Sequence, residues 1–294
     1  MTNKFKLLLL LLLSATTMAQ ATSAPAVSHE KIVQISGSEI TSLEGIDFSN
    51  ATKIVISKCL NLTSLKGLSA PIATKVTISS CSKLTSLAGL DARMATEINI
   101  EHCPALTSLD GLDAPMATKI TICVCPALTS LKGLDAPMAT EIDIQHCHAL
   151  TSLDALDAPM ATKITIRWCN ALTSLAGLNA PIATTMTIWG CPALTSLADL
   201  HAPMAIEITI SECDALTSAS FEGLHAPNLK RLITQPDLKA AVDNFFRQNR
   251  HWSTARAAWV SAVVRGTMHR AAGTVACADD LRRLSLAATE RPHD

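Results

Sequence analysis

The chain has 294 residues, a formal net charge of -1, and a composition that is 48% hydrophobic yet only 3% aromatic, with no Tyr, five Phe and four Trp. A core drawn almost entirely from Leu, Ile, Val, Ala and Met suits thin stacked coils better than one large globular centre. Residues 29–228 carry 11 Lys/Arg against 19 Asp/Glu and residues from 229 onward carry 11 against 6; neither half is extreme and the basic residues form no block, which argues against a nucleic-acid partner.

In chain order, Lys4 and Lys6 precede the apolar run Leu7 to Leu13, and Ala19-Gln20-Ala21 supplies an A-x-A cleavage site. Residues 1–21 therefore read as a secretory signal peptide, with a short mature N-terminal segment at 22–31. The apolar run is well below the roughly 18 residues that a membrane span needs. No later segment suits a span, and the C-terminus lacks the apolar tail of a lipid-anchor signal. The expectation is a soluble exported protein, either secreted, at the cell surface or periplasmic, with no transmembrane span.

Eight cysteines, Cys59, Cys81, Cys103, Cys125, Cys147, Cys169, Cys191 and Cys213, then recur every 22 residues. The unit from Ala117 to Met138 reads A-T-K-I-T-I-C-V-C-P-A-L-T-S-L-K-G-L-D-A-P-M, and self-similarity at such a period is the signature of a stacked solenoid. Alternation at Ile120 and Ile122 predicts a short strand with Thr121 outward. Leu128, Leu131 and Leu134, spaced by three, suit a tight helical or extended return punctuated by Gly133 and Pro137. The solenoid is expected over 32–235, with a degenerate first coil (Ile40, Leu43, Ile46) and a ninth strand begun by Leu229, Leu232 and Thr234. Residues 236–294 read as a helical C-terminal cap. Its first helix opens at Pro236 and is apolar at Leu238, Ala241, Val242, Phe245 and Phe246; further helices are expected at 253–270 and 276–288.

The pattern A-x-x-I-x-I-x-x-C-x-x-L, from Ala117 through Ile120, Ile122 and Cys125 to Leu128, resembles the conserved segment L-x-x-L-x-L-x-x-N/C-x-(x)-L of the leucine-rich repeats. The 22-residue unit is similar to the compact repeats of bacterial surface proteins, and its I-x-I…L-T-S-L-x-G-L phrase to receptor L-domain repeats. The resemblance covers about residues 32–235. It implies an α/β repeat solenoid, a parallel sheet of about nine coils with a small C-terminal helical domain, and binding at the concave face. Ala in place of the first Leu and the absence of Asn depart from the family, and leave a parallel β-helix as the structural alternative.

The resemblance places the repeated Cys at the ladder position, where a buried polar atom satisfies backbone groups of adjacent coils. Coils about 4.8 Å apart lie inside the Cα range of a disulfide, but parallel side chains do not suit its dihedral of roughly 90°. Free buried thiols are expected, with neighbouring disulfides the alternative. Cys123 stands outside the ladder as a surface thiol or a partner for Cys277. A metal held through Cys123-Val124-Cys125 would lack further ligands, so neither metal nor cofactor is expected.

Positions that refuse to repeat are informative. The two residues before each ladder Cys read Ser57-Lys58, Ser79-Ser80, Glu101-His102, Cys123-Val124, Gln145-His146, Arg167-Trp168, Trp189-Gly190 and Ser211-Glu212. Trp168 and Trp189 beside Arg167 have the composition of an interface anchor; alternatively both indoles cover an edge of the core. His102 and His146 stand in coils that look like copies of a 44-residue duplication and read as solvated. Lys75, Glu97, Lys119, Glu141 and Lys163 alternate in sign at one position and are read as fixing coil register. Asn50 and Asn61 begin glycosylation sequons.

No nucleophile-and-base set, phosphate loop or zinc signature occurs at its required spacing. Asp113, Asp135 and Asp157 read as turn formers, and His251, His269 and Cys277 in the tail have no evident partners. The expected function is therefore non-enzymatic: a monomeric exported protein binding a protein or glycan through Glu101, His102, Gln145, His146, Arg167, Trp168 and Trp189. The alternatives are a structural envelope or wall component, and an enzyme or enzyme regulator acting through the basic tail.

Overall fold

The computed structural model describes residues 30–248 apart from 135, 155 and 199. Each K/E-I-x-I-x phrase forms a five-residue strand, since alternate Ile side chains point inward and β-branched residues suit the pleat. The strands are β1 (Ile32–Ser36), β2 (Lys53–Ser57), β3 (Lys75–Ser79), β4 (Glu97–Glu101), β5 (Lys119–Cys123), β6 (Glu141–Gln145), β7 (Lys163–Arg167), β8 (Thr185–Trp189), β9 (Glu207–Ser211) and the shorter β10 (Arg231–Ile233). All ten lie in one parallel sheet in chain order, so the chain is a parallel β-solenoid of about nine coils. The strand at Leu232 is the tenth rather than the ninth, because Ile32–Ser36 pairs residue for residue with β2.

The return path is not helical. In the coil that starts at Lys53, Leu62 N–H donates to Cys59 O (3.1 Å), Leu68 N–H to Leu65 O (2.9 Å) and Ala73 N–H to Ala70 O (3.1 Å). Each bond closes a β-turn, so of the helical and extended returns that the spacing of three suits, the extended one is found and the leucines mark successive corners. The α component of the expected α/β class shrinks accordingly. Among the described residues, helix is limited to 3-10 turns at Ser218–Phe221 and Pro236–Leu238 and to α1 (Lys239–Gln248). The expected helices at 253–270 and 276–288, Cys277 and the signal peptide lie outside the described residues.

The core repeats with the sequence. In one coil Ile54, Ile56, Cys59, Leu62, Leu65, Leu68, Ala70 and Ala73 are all 0–1% exposed, and each Leu or Ile so buried contributes about 1.5–3 kcal/mol. Two hydroxyl ladders hold the coils in register. Thr74, Thr96, Thr118, Thr140, Thr162 and Thr184 each donate to the carbonyl of the equivalent Thr one coil earlier, at 3.0–3.2 Å. Thr107, Thr129, Thr173 and Thr195 do the same on another side. At the C-terminal end, Leu238, Ala241 and Phe245 are buried and α1 packs against the 3-10 turn at Ser218–Phe221.

Candidate recognition surface

The variable pair occupies the corner where each strand leaves the sheet. The residue before each ladder Cys has a left-handed backbone: Lys58, Ser80, His102, Val124, His146, Trp168 and Glu212 have φ between 51° and 56°, and Gly190 has 64°. This kink turns the following Cys into the core and the preceding side chains outward. It is held by the next coil, since His102 N–H donates to Cys123 O (2.9 Å), Val124 to Gln145 (3.0 Å), His146 to Arg167 (2.9 Å) and Trp168 to Trp189 (2.8 Å). A left-handed conformation costs a non-Gly residue about 1–2 kcal/mol, and a β-branched residue such as Val124 is rare there. Only one of these coils relieves the strain with glycine.

The ladder thiols complete the same device. All eight are buried and free, and each Sγ lies 3.4–3.7 Å from the carbonyl oxygen two residues earlier. The expected bonds to adjacent coils are present as well: Cys59 Sγ is 3.8 Å from Ile35 O, and Cys81, Cys103, Cys125, Cys147, Cys191 and Cys213 each meet the backbone of the ladder Cys one coil earlier. Each thiol also spans the kink within its own coil, because the left-handed residue brings the strand's last carbonyl above it. Burial pushes the Cys147 thiol up to about 12.

Two parallel rows face outward at this corner. Register aligns Glu101, Cys123, Gln145, Arg167 and Trp189 at the strand ends, and His102, Val124, His146 and Trp168 follow at the kinks. Trp168 and Trp189 are each 36% exposed. The Trp168 indole stacks on the His146 ring, with centroids 4.4 Å apart and planes 14° from parallel. It also lies over Gly190, where a Cβ would stand 2.6 Å from Trp168 Cδ1. His146 is therefore half-buried and stacked, not solvated as expected, while His102 is exposed. Trp168 both packs and presents an edge.

The polar members differ in how firmly they are held. Glu101 accepts a bond from Asn99 Nδ2 (2.7 Å), and Gln145 Nε2 donates to both Asp143 oxygens (2.9 and 2.8 Å). Arg167 makes no ion pair among the described residues, and its buried Nε has no acceptor. Cys123 is half-buried between the Glu101 and Gln145 strands. Burial, with the Glu101 and Asp143 carboxylates, raises its thiol above the ordinary value and makes it a poor nucleophile at neutral pH.

A third row was overlooked in the sequence. A groove of about 250 Å³ runs beside the kinks, lined by Leu60, Ser80, Ser82, His102, Pro104, Val124 and Pro126. Its second wall is the residue after each Cys, which varies from coil to coil as freely as the pair before it, and that variation was the available signal. His148 continues this row and meets the His146 ring edge-on at 5.8 Å.

The remaining sequence candidates lie elsewhere. Lys75–Glu97 (2.7 Å), Lys163–Glu141 (2.7 Å) and Lys119–Glu141 (3.7 Å) form ion pairs between coils; being about a third or more exposed they contribute little each. Asn50 is exposed, whereas Asn61 is occupied, donating to Ser38 O (2.7 Å) and accepting from Lys83 Nζ (2.8 Å). Among the described residues no three His, Cys, Asp or Glu side chains converge on a metal position, and no helix is long and apolar enough to cross a membrane. No protein-family model matches the chain, and no curated protein matches it in sequence.

Proposed function

We propose that this protein is an exported recognition module of leucine-rich-repeat type that binds a protein or glycan through the kinked corner of its coils. One observation carries the reading. The sharpest variation between otherwise near-verbatim coils gathers on one outward edge, where the second residue of each variable pair has a left-handed backbone. Trp189, beside the unpaired Arg167 guanidinium and the exposed edge of Trp168, supplies the aromatic-and-arginine composition of an interface centre.

The test is affinity capture from the protein's native surroundings, comparing the parent with the Trp168→Ala/Trp189→Ala double variant. The expected result is loss of the captured partner from a variant that still unfolds cooperatively. Retention of full capture would overturn the proposal, as would association with insoluble envelope material that is indifferent to both substitutions.

A further inference from the structure

The opposite edge of the sheet carries a constant feature that folding does not explain. In the turn before each strand, one position reads Ile72, Met94, Met116, Met138, Met160, Ile182 and Met204 in seven successive coils. Ile72, Met94 and Met116 are 48%, 50% and 45% exposed, and the other four are half-buried. The Ala residues on either side of each already fill the core, so the turn needs nothing apolar at its tip. The equivalent residues of the end coils are polar, Asn50 and Asn228. At about 4.8 Å per coil the apolar ridge runs about 29 Å, and a contiguous apolar strip on a solvent face marks an interaction surface. Ile at two of the seven positions shows that apolarity, not sulfur, is what is kept.

We infer that this ridge is the interface of an antiparallel two-fold dimer, centred between the coils of Met116 and Met138. A two-fold interface must be complementary to its own reverse; the apolar ridge permits pairing about this centre, and the charge row beside it selects it. Reversed about this centre, the ridge sets Met116 against Met138, Met94 against Met160 and Ile72 against Ile182 of the second copy, and leaves Met204 against Asn50 at each end. A two-fold axis lying across the ridge also brings the flanking charge row against its own reverse. Lys119 then faces Glu141, Glu97 faces Lys163, Lys53 faces Glu207, and Lys75 faces the neutral Thr185. Moving the centre by half a coil, onto Met138, sets Lys119 against Lys163 and Glu141 against itself.

The size fits as well. Four rows over the six coils from Ile72 to Ile182, at the Pro, Met, Thr and Lys/Glu positions, offer about 24 residues a side, within the roughly 20–30 of a standard interface. An anionic bilayer is disfavoured as occupant, because Asp91, Asp113 and Asp157 line the other flank of the ridge and the solenoid body is net acidic. In the dimer Asp91 approaches Asp157 of the second copy, a cost that Arg93 reduces by standing 3.8 Å from Asp91 and 3.3 Å from Asp113.

Sedimentation equilibrium of the purified full chain on the order of 10 µM is expected to give a dimer, and Met116→Glu/Met138→Glu a monomer with parental circular dichroism. Lys119→Glu and Glu141→Lys each create two like-charge contacts in the homodimer and should each weaken it about tenfold or more. An equimolar mixture of those two single variants restores opposite charges at both contacts, and should recover parental affinity as a heterodimer. Because changes within each chain persist in the mixture, recovery reports the pairing alone. A monomer throughout, a mixture no tighter than either variant alone, or flotation of the monomer with anionic phosphatidylserine vesicles would overturn the dimer.

Discussion

The closeness of neighbouring coils can be measured through a graded set of glycines. Gly111 has φ +91°, and a Cβ there would stand 2.7 Å from Ala88 Cα and 2.9 Å from Ala88 N and Leu87 O, all backbone atoms of the preceding coil. Gly111→Ala therefore meets two penalties, about 1–2 kcal/mol for the left-handed φ and about 1–3 kcal/mol for forcing the coils apart. Reduced freedom of the unfolded chain returns roughly 0.4–1 kcal/mol, leaving a loss of about 2–4 kcal/mol. Gly45 has a similar φ of +84° with nothing within 4 Å of its Cβ position, so Gly45→Ala keeps only the backbone penalty and should lose about 1 kcal/mol. Gly67, whose Cβ would lie 3.0 Å from Glu44 Cα, should fall between them. Urea unfolding followed by far-ultraviolet circular dichroism reads all three. Equal losses at Gly45 and Gly111 would refute the packing argument, since the two backbones differ little and only the second meets a neighbouring coil.

The remaining predictions use other parts of the fold. Gly190→Ala combines a left-handed φ of 64° with displacement of the Trp168 indole and should destabilise by about 2–4 kcal/mol; the loss should be smaller in a Trp168→Ala background, and an unchanged loss would show that the two do not meet. The raised Cys147 thiol means that the unfolded chain ionises first as pH climbs, so stability present below pH 9.0 should be lost between 9.0 and about 12. This one thiol contributes a slope of up to about 1.4 kcal/mol per pH unit, and Cys147→Ala should flatten the alkaline limb of a midpoint-against-pH plot. Thr118→Val removes the 3.1 Å bond to Thr96 O and should cost about 0.5–1.5 kcal/mol by urea titration.

How much of this was legible in the sequence depends on what each residue does. The inward set was readable because burial forces repetition: Ile54, Ile56, Cys59 and Leu62 recur in phase, and that phase defines a coil. The return path stayed open between a helical and an extended form because a spacing of three is common to a 3-10 helix and to a series of turn corners, and periodicity alone does not separate them. The corner pairs stood out by variation, but their left-handed backbone did not, since Lys58, Val124 and Trp168 carry no sequence signal for positive φ. It is imposed by the inter-coil hydrogen bonds from their own N–H groups. His146 was misjudged because its stacking depends on Trp168 one coil later and on the room left by Gly190 one coil beyond. The Met ridge escaped attention for the opposite reason: it is constant, and constancy in a repeat suggests core until exposure shows otherwise.

The central claim is that recognition occurs at the kinked corner, and oxidative footprinting of the protein with and without its captured partner tests it most directly. Trp168 and Trp189 report the corner, and Met94 and Met116, at 50% and 45% exposure, report the opposite edge of the same sheet. The account predicts that the partner protects both Trp residues and leaves the Met residues labelled as before. Protection of Met94 and Met116 with Trp168 and Trp189 unchanged would contradict it.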